Sequence, residues 1–214
     1  MNPAFEKLPE RKKQKILTVA IEEFAMNGYE NASTNKMTER AQISKGLLFH
    51  YFTNKKGLYL YLFEHVMGWV SNEVIRRLET LEETDFFERI KKTAMLKIDV
   101  FLHHPDEYHF MMKGILEPTE EVKEEIQAIL LNVNRQYSRY NDELLFAYLN
   151  EDDLRVGLTK EFVVEYVMNV MEQFSNSILK QYKGKESALL HQSESLLKRL
   201  DMYVDVLKYG VYRP

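Results

Sequence analysis

Apolar residues recur at helical spacing along most of this chain of 214 residues, and few turn residues interrupt them. Leu17, Ala20, Ile21 and Phe24 fall at positions i, i+3, i+4 and i+7, which places them on one side of an α-helix that Asn27–Gly28 should end. Only 8 glycines and 5 prolines are present, too few for the turns of a many-stranded sheet. The pattern predicts an all-α fold of about nine helices.

Turn signals divide this helical pattern into a small N-terminal part and a larger C-terminal part. Ser33 or Thr34 can cap a short second helix, and a long helix is predicted over residues 55–81. Asp85 and Glu88 form a capping box that opens a further helix, which Pro105 ends. We expect an N-terminal three-helix bundle at residues 1–54 and a C-terminal helical domain at residues 55–214.

The composition excludes several classes of protein. Hydrophobic residues make up 45% of the chain, which is enough for a sizeable core. No cysteine occurs, which excludes disulfides and thiolate metal sites and is typical of a reducing cytosol. We find no apolar N-terminal run that resembles a signal peptide and no stretch of about 18 uncharged apolar residues. We therefore expect a cytoplasmic protein that does not bind a membrane.

Charge is distributed unevenly along the chain. The formal net charge is −4, yet residues 1–60 carry a net charge of +4 and the remaining residues a net charge of −8. A basic N-terminal part and an acidic remainder indicate that only the N-terminal part meets a polyanion.

The segment ISKGLLFHYFTNKKG, residues 43–57, concentrates apolar residues in a predicted helix of about two turns. Ser44 is placed to cap this helix, and Leu48 and Phe52, at i and i+4, should face the two helices before it. Two short helices joined by a tight turn describe a helix-turn-helix, whose second helix reads DNA. The positions predicted to face outward are Lys45, Gly46, Leu47, His50 and Tyr51.

Lysines around this helix are predicted to contact the DNA. Lys55 and Lys56 begin the next helix, where free backbone N–H groups already favour an anion, so we expect a phosphate there. Lys36 lies either on a solvated helix face or against a phosphate. Lys45 can donate to guanine or to a phosphate, and Leu47 can touch a thymine methyl group.

The last two predicted helices each carry a wide apolar face. Helices of this kind either bury each other within one chain or pair with a second copy in a four-helix interface. The residues predicted to contribute to such a dimer are Tyr166, Val170, Phe174, Leu196, Leu200, Tyr203 and Leu207.

The stretch FAMNGYENASTNKMTERAQISKGLLFHYFTNKKGL resembles the DNA-binding domain of the TetR family of transcriptional repressors, over roughly residues 10–65. The resemblance implies a homodimer whose two reading helices enter successive major grooves of a palindromic operator, and a small molecule that releases it. It also implies that Thr34 binds a phosphate, that Lys45, Gly46 and Leu47 face bases, and that Tyr51 and Lys55 hold the backbone.

Four positions depart from the family pattern. Gln42 replaces the usual glycine of the turn, so we expect the turn to be strained or differently hydrogen-bonded. Thr38 places a hydroxyl where the two helices pack. Phe49 replaces a tyrosine that often donates to phosphate. Gly57 replaces an acidic residue in the first turn of the long helix and is expected to loosen that turn.

The resemblance also implies a ligand cavity in the C-terminal domain, for an apolar or aromatic effector. Methionine and aromatic side chains suit adaptable apolar pockets, although most such residues belong to a core. Asp99 and Glu172 interrupt apolar faces and could meet a cationic ligand, form salt bridges or face solvent. The candidate pocket residues are Trp69, Phe101, Tyr108, Met111, Met112, Tyr137, Tyr140 and Met171.

Other functions have weaker support in the sequence. His103, His104 and His109 lie around a proline turn that gives no defined metal-ligand spacing, so we expect no metal and no cofactor. No catalytic triad spacing or glycine-rich phosphate loop is present, so we expect no enzyme. The main alternative is a helical ligand-binding or protein-interaction module without sequence-specific DNA recognition.

Overall fold

The computed structural model describes residues 3–182, 185, 188 and 191–211 of the chain. The described residues are mostly α-helical, which confirms the all-α prediction. Among the described helices, none combines the length with the low charge content that crossing a bilayer requires. The helices are α1 (Pro3–Glu6), α2 (Glu10–Asn31), α3 (Thr34–Ala41), α4 (Lys45–Phe52), α5 (Lys55–Glu79), α6 (Phe86–His103), α7 (Pro105–Leu116), α8 (Lys123–Leu144), α9 (Lys160–Tyr182) and α10 (Ser193–Val211).

Packing divides the chain into two compact units. The first unit consists of Met1–Trp69 and His104–Val133, and the second of Val70–His103 and Asn134–Pro214. Helices α5 and α8 each contribute residues to both units. The first unit is therefore larger than the predicted three-helix bundle, because α7 and part of α8 pack with it. The predicted boundary at residue 54 separates two domains by their expected functions and not by packing, and it stays a prediction.

Aromatic side chains join α2, α5 and α7 in the first unit. The ring centroid of Phe24 lies 4.9 Å from that of Tyr59 and 6.0 Å from that of Phe110. Gly114 allows α7 to approach α5 closely, because a Cβ atom there would lie 2.6 Å from the Phe63 ring. Helix α2 thus packs against α5 and α7, which lie outside the predicted three-helix bundle.

The end of α2 differs from a simple helix stop. Gly28 has φ +70°, so helical geometry breaks where the Asn27–Gly28 pair predicted, but helical hydrogen bonding continues to Asn31. Just before the break, Lys113 Nζ donates to the carbonyl oxygens of Ala25 at 2.6 Å and Met26 at 3.1 Å. A cation is favoured here because carbonyls near a helix end carry partial negative charge.

Boundaries around α6 follow the predicted caps. Asp85 Oδ1 accepts from the backbone N–H of Glu88 at 3.0 Å, and α6 begins at the residue after Asp85. The helix ends at His103, and Pro105 is the first residue of α7. Proline at this position costs no hydrogen bond because the first N–H groups of a helix have no helical partner.

An apolar core joins α6, α9 and α10 in the second unit. Phe86 and Phe87 of α6 and Val163 and Val167 of α9 are fully buried. The contributing residues of α10 are Leu200, Val204, Leu207 and Val211.

The predicted dimer role of three α10 leucines is wrong. Leu200 and Leu207 are buried in the core of the second unit, and Leu196 is buried against Ile178 and Tyr182 of α9. The three leucines repeat at helical spacing, so they lie on one side of α10. That side packs against residues of the same unit.

Arg89 of α6 is completely buried, and its guanidinium donates hydrogen bonds to four backbone carbonyls. Its guanidinium donates to Leu144 O at 2.6 Å and Leu78 O at 3.1 Å, near the ends of α8 and α5. It also donates to Leu81 O at 3.1 Å and Glu83 O at 2.6 Å, in the segment between α5 and α6. One side chain therefore satisfies the carbonyls at two helix ends and in a loop.

Replacing Arg89 by methionine should lower the free energy of unfolding by about 3 kcal/mol or more, because four carbonyls around a fully buried side chain would lose their donor. Urea unfolding followed by circular dichroism measures this change. Arg76→Met is the matched control: Arg76 is exposed and pairs with Glu73, so its loss should cost less than about 1 kcal/mol. Equal losses in the two variants would contradict the role assigned to Arg89.

Candidate nucleic-acid interface

Helices α3 and α4 each begin after a serine cap. Ser33 Oγ accepts from the backbone N–H of Lys36 at 3.4 Å, and Ser44 Oγ accepts from that of Leu47 at 3.1 Å. Of the two residues that could have capped α3, the structure selects Ser33, and Thr34 becomes the first helical residue. Both caps satisfy backbone donors that would otherwise lack a partner.

The turn between α3 and α4 contains a residue in a left-handed conformation. Gln42 has φ 58° and ψ 47°, which few residues other than glycine adopt, so the predicted strain is confirmed. Lys15 Nζ of α2 donates to Gln42 Oε1 at 2.7 Å, and Ile43 N donates to Thr38 O at 3.0 Å. The turn is thus held from α2 and from α3.

Helix α4 has a buried side and an exposed side, as the spacing predicted. Leu48 is 1% exposed and Phe52 is 6% exposed, so these two side chains fix the helix to the bundle. Apart from its chain neighbours and the backbone of its own helix, no described atom lies within 4 Å of the position of a Cβ on Gly46, so packing does not demand glycine there. The side away from the bundle carries Lys45, Gly46 and His50, which are exposed, and Leu47, which is half-buried.

The prediction that Tyr51 lies on the outer side is wrong. Its side chain is 8% exposed, and its ring centroid lies 5.4 Å from that of Phe5. Helix α1 covers this part of α4, and the helical spacing within residues 43–57 could not reveal a contact made by a residue 46 positions earlier. A phosphate contact by Tyr51 stays a prediction.

Both lysines that were predicted to contact a phosphate have partners within the first unit. Lys55 Nζ donates to the carbonyl oxygen of Glu30 at 2.9 Å and lies 5.2 Å from the Tyr29 ring centroid. Lys56 Nζ forms an ion pair of 2.6 Å with Glu125 of α8. The contacts of both lysines with DNA stay predictions. A phosphate at Lys56 would compete with the Glu125 carboxylate for the ammonium group.

A buried carboxylate lies at the start of α3. Glu23 of α2 is buried, and its Oε1 accepts from the backbone N–H of Ser33 at 2.9 Å. This negative charge stabilises the positive end of the α3 dipole. A phosphate bound at Thr34 would therefore lie close to the carboxylate of Glu23. Lys36 on the same helix is exposed. The sequence signal was a glutamate directly beside Phe24 on an apolar helix face, and the sequence analysis missed it.

The connection between α4 and α5 is strained. Thr53 has φ 67° and ψ −53°, and Asn54 N donates to Phe52 O at 2.7 Å, which together form a γ-turn. A β-branched residue rarely adopts a positive φ. The strain is held in place because Asn54 Oδ1 accepts from the N–H of Gly57 at 2.8 Å and so caps α5.

Gly57 has a steric role that the family comparison did not suggest, and the expectation that it loosens the first turn of α5 stays a prediction. A Cβ atom at this position would lie 2.1 Å from Phe52 O. Glycine is therefore required for α5 to begin so close to the end of α4.

The candidate ligand residues are divided between the two units. In the first unit, Trp69 is half-buried with its ring 4.4 Å from that of His104, and three residues of α7 belong to the buried core. Those three are Tyr108, Met111 and Met112.

The remaining candidates lie in the second unit. Tyr137 Oη donates to Asn72 Oδ1 at 3.0 Å, and the Tyr137 and Tyr140 rings lie 6.0 Å apart. Phe101 is half-buried, and Met171 packs beside the core. Asp99 pairs with Arg77, so a salt bridge is the correct alternative for that residue. A ligand role for any of these residues stays a prediction.

Helices α9 and α10 expose large apolar side chains. Of the predicted dimer residues, Tyr166 and Tyr203 are exposed, while Val170 and Phe174 are half-buried. The sequence analysis missed further exposed apolar residues on these helices, because it assigned the leucine stripe of α10 to a partner. These residues are Phe162, Met168, Met202, Val206 and Tyr209.

Comparison with protein families gives two matches. A family described as bacterial regulatory proteins, tetR family, matches residues 16–62. A family described as Tetracyclin repressor-like, C-terminal domain, matches residues 84–212. Together they include α4 and most of the second unit.

Two curated relatives come from Bacillus subtilis strain 168. The HTH-type transcriptional regulator YerO is 23% identical over 164 residues, which is 75% of this chain and 56% of YerO. The fatty acid metabolism regulator protein is 31% identical over 86 residues, which is 40% of this chain and 38% of that protein. The chain thus spans less than two thirds of the length of either relative.

Three solved structures have a similar fold. A TetR family regulator from Chloroflexus aurantiacus J-10-FL has a TM-score of 0.58 and 22% identity, covering 99% of this chain and 98% of its own. FadR from B. subtilis in complex with stearoyl-CoA has a TM-score of 0.60 and 18% identity, covering 87% and 96%. A regulator from Rhodococcus sp. has a TM-score of 0.64 and 14% identity, covering 93% and 99%.

Replacing Thr53 by glycine should raise the free energy of unfolding by about 1 kcal/mol, because the strain of the γ-turn exceeds the entropy that glycine adds to the unfolded chain. Thermal unfolding measures the change. Thr53→Ala keeps a Cβ and should give no gain. If both variants lose stability equally, the turn is not strained.

Proposed function

Because the chain belongs to the TetR family of bacterial regulatory proteins, we propose that it is a transcriptional repressor that binds a palindromic operator as a homodimer and leaves it when a small molecule binds. The observation that carries this proposal is the position of α4. Leu48 and Phe52 fix the helix to the bundle, while Lys45 and Gly46 face away from it. A helix held in this way can enter a major groove without exposing its apolar side.

Lys45, Gly46 and Leu47 are proposed to read the bases. The Lys45 ammonium can donate to the O6 and N7 acceptors of guanine, and Leu47 can contact a thymine methyl group. Gly46 has no side chain between them, so the backbone can approach the groove edge. Thr34, Lys36, Ser44, His50 and Lys55 surround this edge in the proposal and contact the phosphate backbone.

The homodimer is proposed to form through α9 and α10. Two aromatic rings of α9, Phe162 and Tyr166, lie exposed and stacked 6.2 Å apart, and Val206 of α10 is 75% exposed. Burial of such residues against a second copy removes apolar area from water. A two-fold axis through this face would give two copies of α4 related by the same axis, which is the symmetry of a palindromic operator.

The effector is proposed to be an apolar molecule that carries an anionic group, bound in the second unit. Lys97 lies on the same side of α6 as Ile90 and Phe101, seven and four residues away, and Ile90 packs beside the core. Lys97 is exposed, and among the described residues it has no ion-pair or hydrogen-bond partner, so its ammonium is available to an anionic group. Desolvation by neighbouring side chains lowers its pKa. FadR from B. subtilis, which has a similar fold, was crystallised with stearoyl-CoA, a molecule of this class.

Release requires only that the effector favours a spacing of the two α4 helices that does not match the operator. A tenfold preference corresponds to about 1.4 kcal/mol and shifts operator affinity measurably. A complete switch between states requires about 5.5 kcal/mol. Helix α5 contributes residues to both units, so a tilt of α5 is the proposed route of coupling.

Replacing Lys45 by alanine should weaken binding to the DNA upstream of the chain's own gene about tenfold and relax its sequence preference, because a base contact is lost. Gel shifts at several salt concentrations measure both effects. The control is Lys198→Ala, which removes an exposed lysine of α10. Unchanged affinity and preference in Lys45→Ala would favour a module without DNA recognition.

Val206→Glu should convert the dimer to a monomer at micromolar concentration, because each copy would bury a charge in an apolar interface. Analytical ultracentrifugation measures the mass. Met95→Glu introduces the same charge at an exposed apolar position of α6, outside the proposed interface, and should leave the dimer intact. Dissociation in both variants, or in neither, would contradict the assigned interface.

Lys97→Met should weaken binding of decanoate about tenfold while leaving decanol unchanged, because only decanoate carries a charge that the ammonium can pair with. Isothermal titration calorimetry measures both affinities. Lys180→Met, at an exposed lysine of α9, serves as the control. Equal effects on the acid and the alcohol would show that the charge of Lys97 plays no part in binding.

A further inference from the structure

A cavity lies in the first unit, beside the end of α4. Its volume is about 660 Å³, within the range of small-molecule sites. Helices α1, α4, α5 and α8 all contribute to its wall. The apolar lining residues are Phe5, Tyr51, Phe52, Leu60, Tyr61 and Ile129.

Aromatic rings form one wall of this cavity. The ring centroid of Phe5 lies 4.7 Å from that of Phe52 and 5.6 Å from that of Tyr61, and the Phe52 and Tyr61 centroids are 5.2 Å apart. The rings meet at interplanar angles of 59°, 82° and 54°, so their faces point in different directions. Ring faces are electron-rich and attract cations.

Carboxylates give the same region a negative charge. Glu64 lines the cavity with an exposed carboxylate, and its charge acts on the neighbouring Tyr61. Tyr61 Oη donates to Glu6 Oε1 at 3.3 Å, and burial together with the nearby Glu6 raises the pKa of Tyr61 to about 12. Lys13 offsets part of this charge, but it is held 2.9 Å from Glu10 and 3.9 Å from Glu6.

We propose that this cavity binds a small organic cation with an aromatic or apolar body. The ring faces contact its body, and Glu64 pairs with its charge. An anion of the same shape is disfavoured because the carboxylates repel it. The site is separate from the effector site proposed in the second unit and does not depend on the proposed function.

A bound molecule would contact the end of α4, where Phe52 fixes this helix to the bundle. Tyr51, Phe52 and Thr53 all line the cavity, and Gly57, which allows α5 to begin there, lies on its wall. The cavity is therefore built on the strained connection between α4 and α5. A bound cation would contact that connection directly.

Tetraphenylphosphonium and tetraphenylborate provide a test because they share size and shape and differ in charge. We expect the full-length protein to bind the phosphonium cation at least tenfold more tightly than the borate anion in isothermal titration calorimetry. Glu64→Gln should weaken binding of the cation about fivefold, because it removes the charge and keeps the shape. Glu79→Gln, an exposed glutamate on the same helix, should have no effect.

Leu60→Trp should weaken binding at least tenfold, because the indole projects into the cavity and occupies part of the space that the ligand needs. Thermal unfolding of each variant verifies that it is folded, and a Leu60→Phe variant, also larger than leucine, replaces the first if it is not. Absence of cation binding at millimolar concentration, equal affinity for the two ions, or full binding by the folded Leu60→Trp variant would each overturn the proposal. Operator binding is not used as a readout, so the result is independent of the proposed function.

Discussion

The buried guanidinium of Arg89 is the contact on which the second unit depends most. It donates hydrogen bonds to carbonyls at the ends of α5 and α8 and in the segment that leads into α6. Its Cζ atom also lies 3.9 Å from the centroid of the Tyr148 ring. A buried cation is stable only when polar partners replace its water, and four carbonyl oxygens do so here. Both α5 and α8 also supply residues to the first unit.

The connection between α4 and α5 sets the orientation of the reading helix. Its γ-turn at Thr53 is unfavourable by itself, and the cap by Asn54 and the close approach at Gly57 hold it. A strained connection of this kind has few alternative conformations, because any relaxation would move Phe52 out of the core. The position of α4 is therefore coupled to the start of α5.

Internal pairing reduces the positive charge available to DNA. Arg40 pairs with Glu22, and Lys56 pairs with Glu125. Lys36 and Lys45 are exposed on α3 and α4, where the helix-turn-helix geometry would present them to a duplex. The residues after position 60 carry a net charge of −8, which repels a polyanion and so favours an approach through the N-terminal part.

The sequence by itself determined the features that depend on near neighbours. Helical spacing identified Leu48 and Phe52 as the buried side of α4, and Ser44 and Asp85 are recognisable as caps because capping needs only three or four consecutive residues. The family resemblance added the helix-turn-helix, since its pattern lies within one continuous stretch.

Only the tertiary structure decided which polar and aromatic groups meet across the chain. Tyr51 is buried by Phe5, Lys56 pairs with Glu125, and Arg89 bonds to carbonyls up to 55 residues away. The leucines of α10 pack inside their own unit because α6 and α9 lie against that side. Periodicity shows that a helix has an apolar side, but it does not identify what covers that side, because the covering residues are distant in sequence.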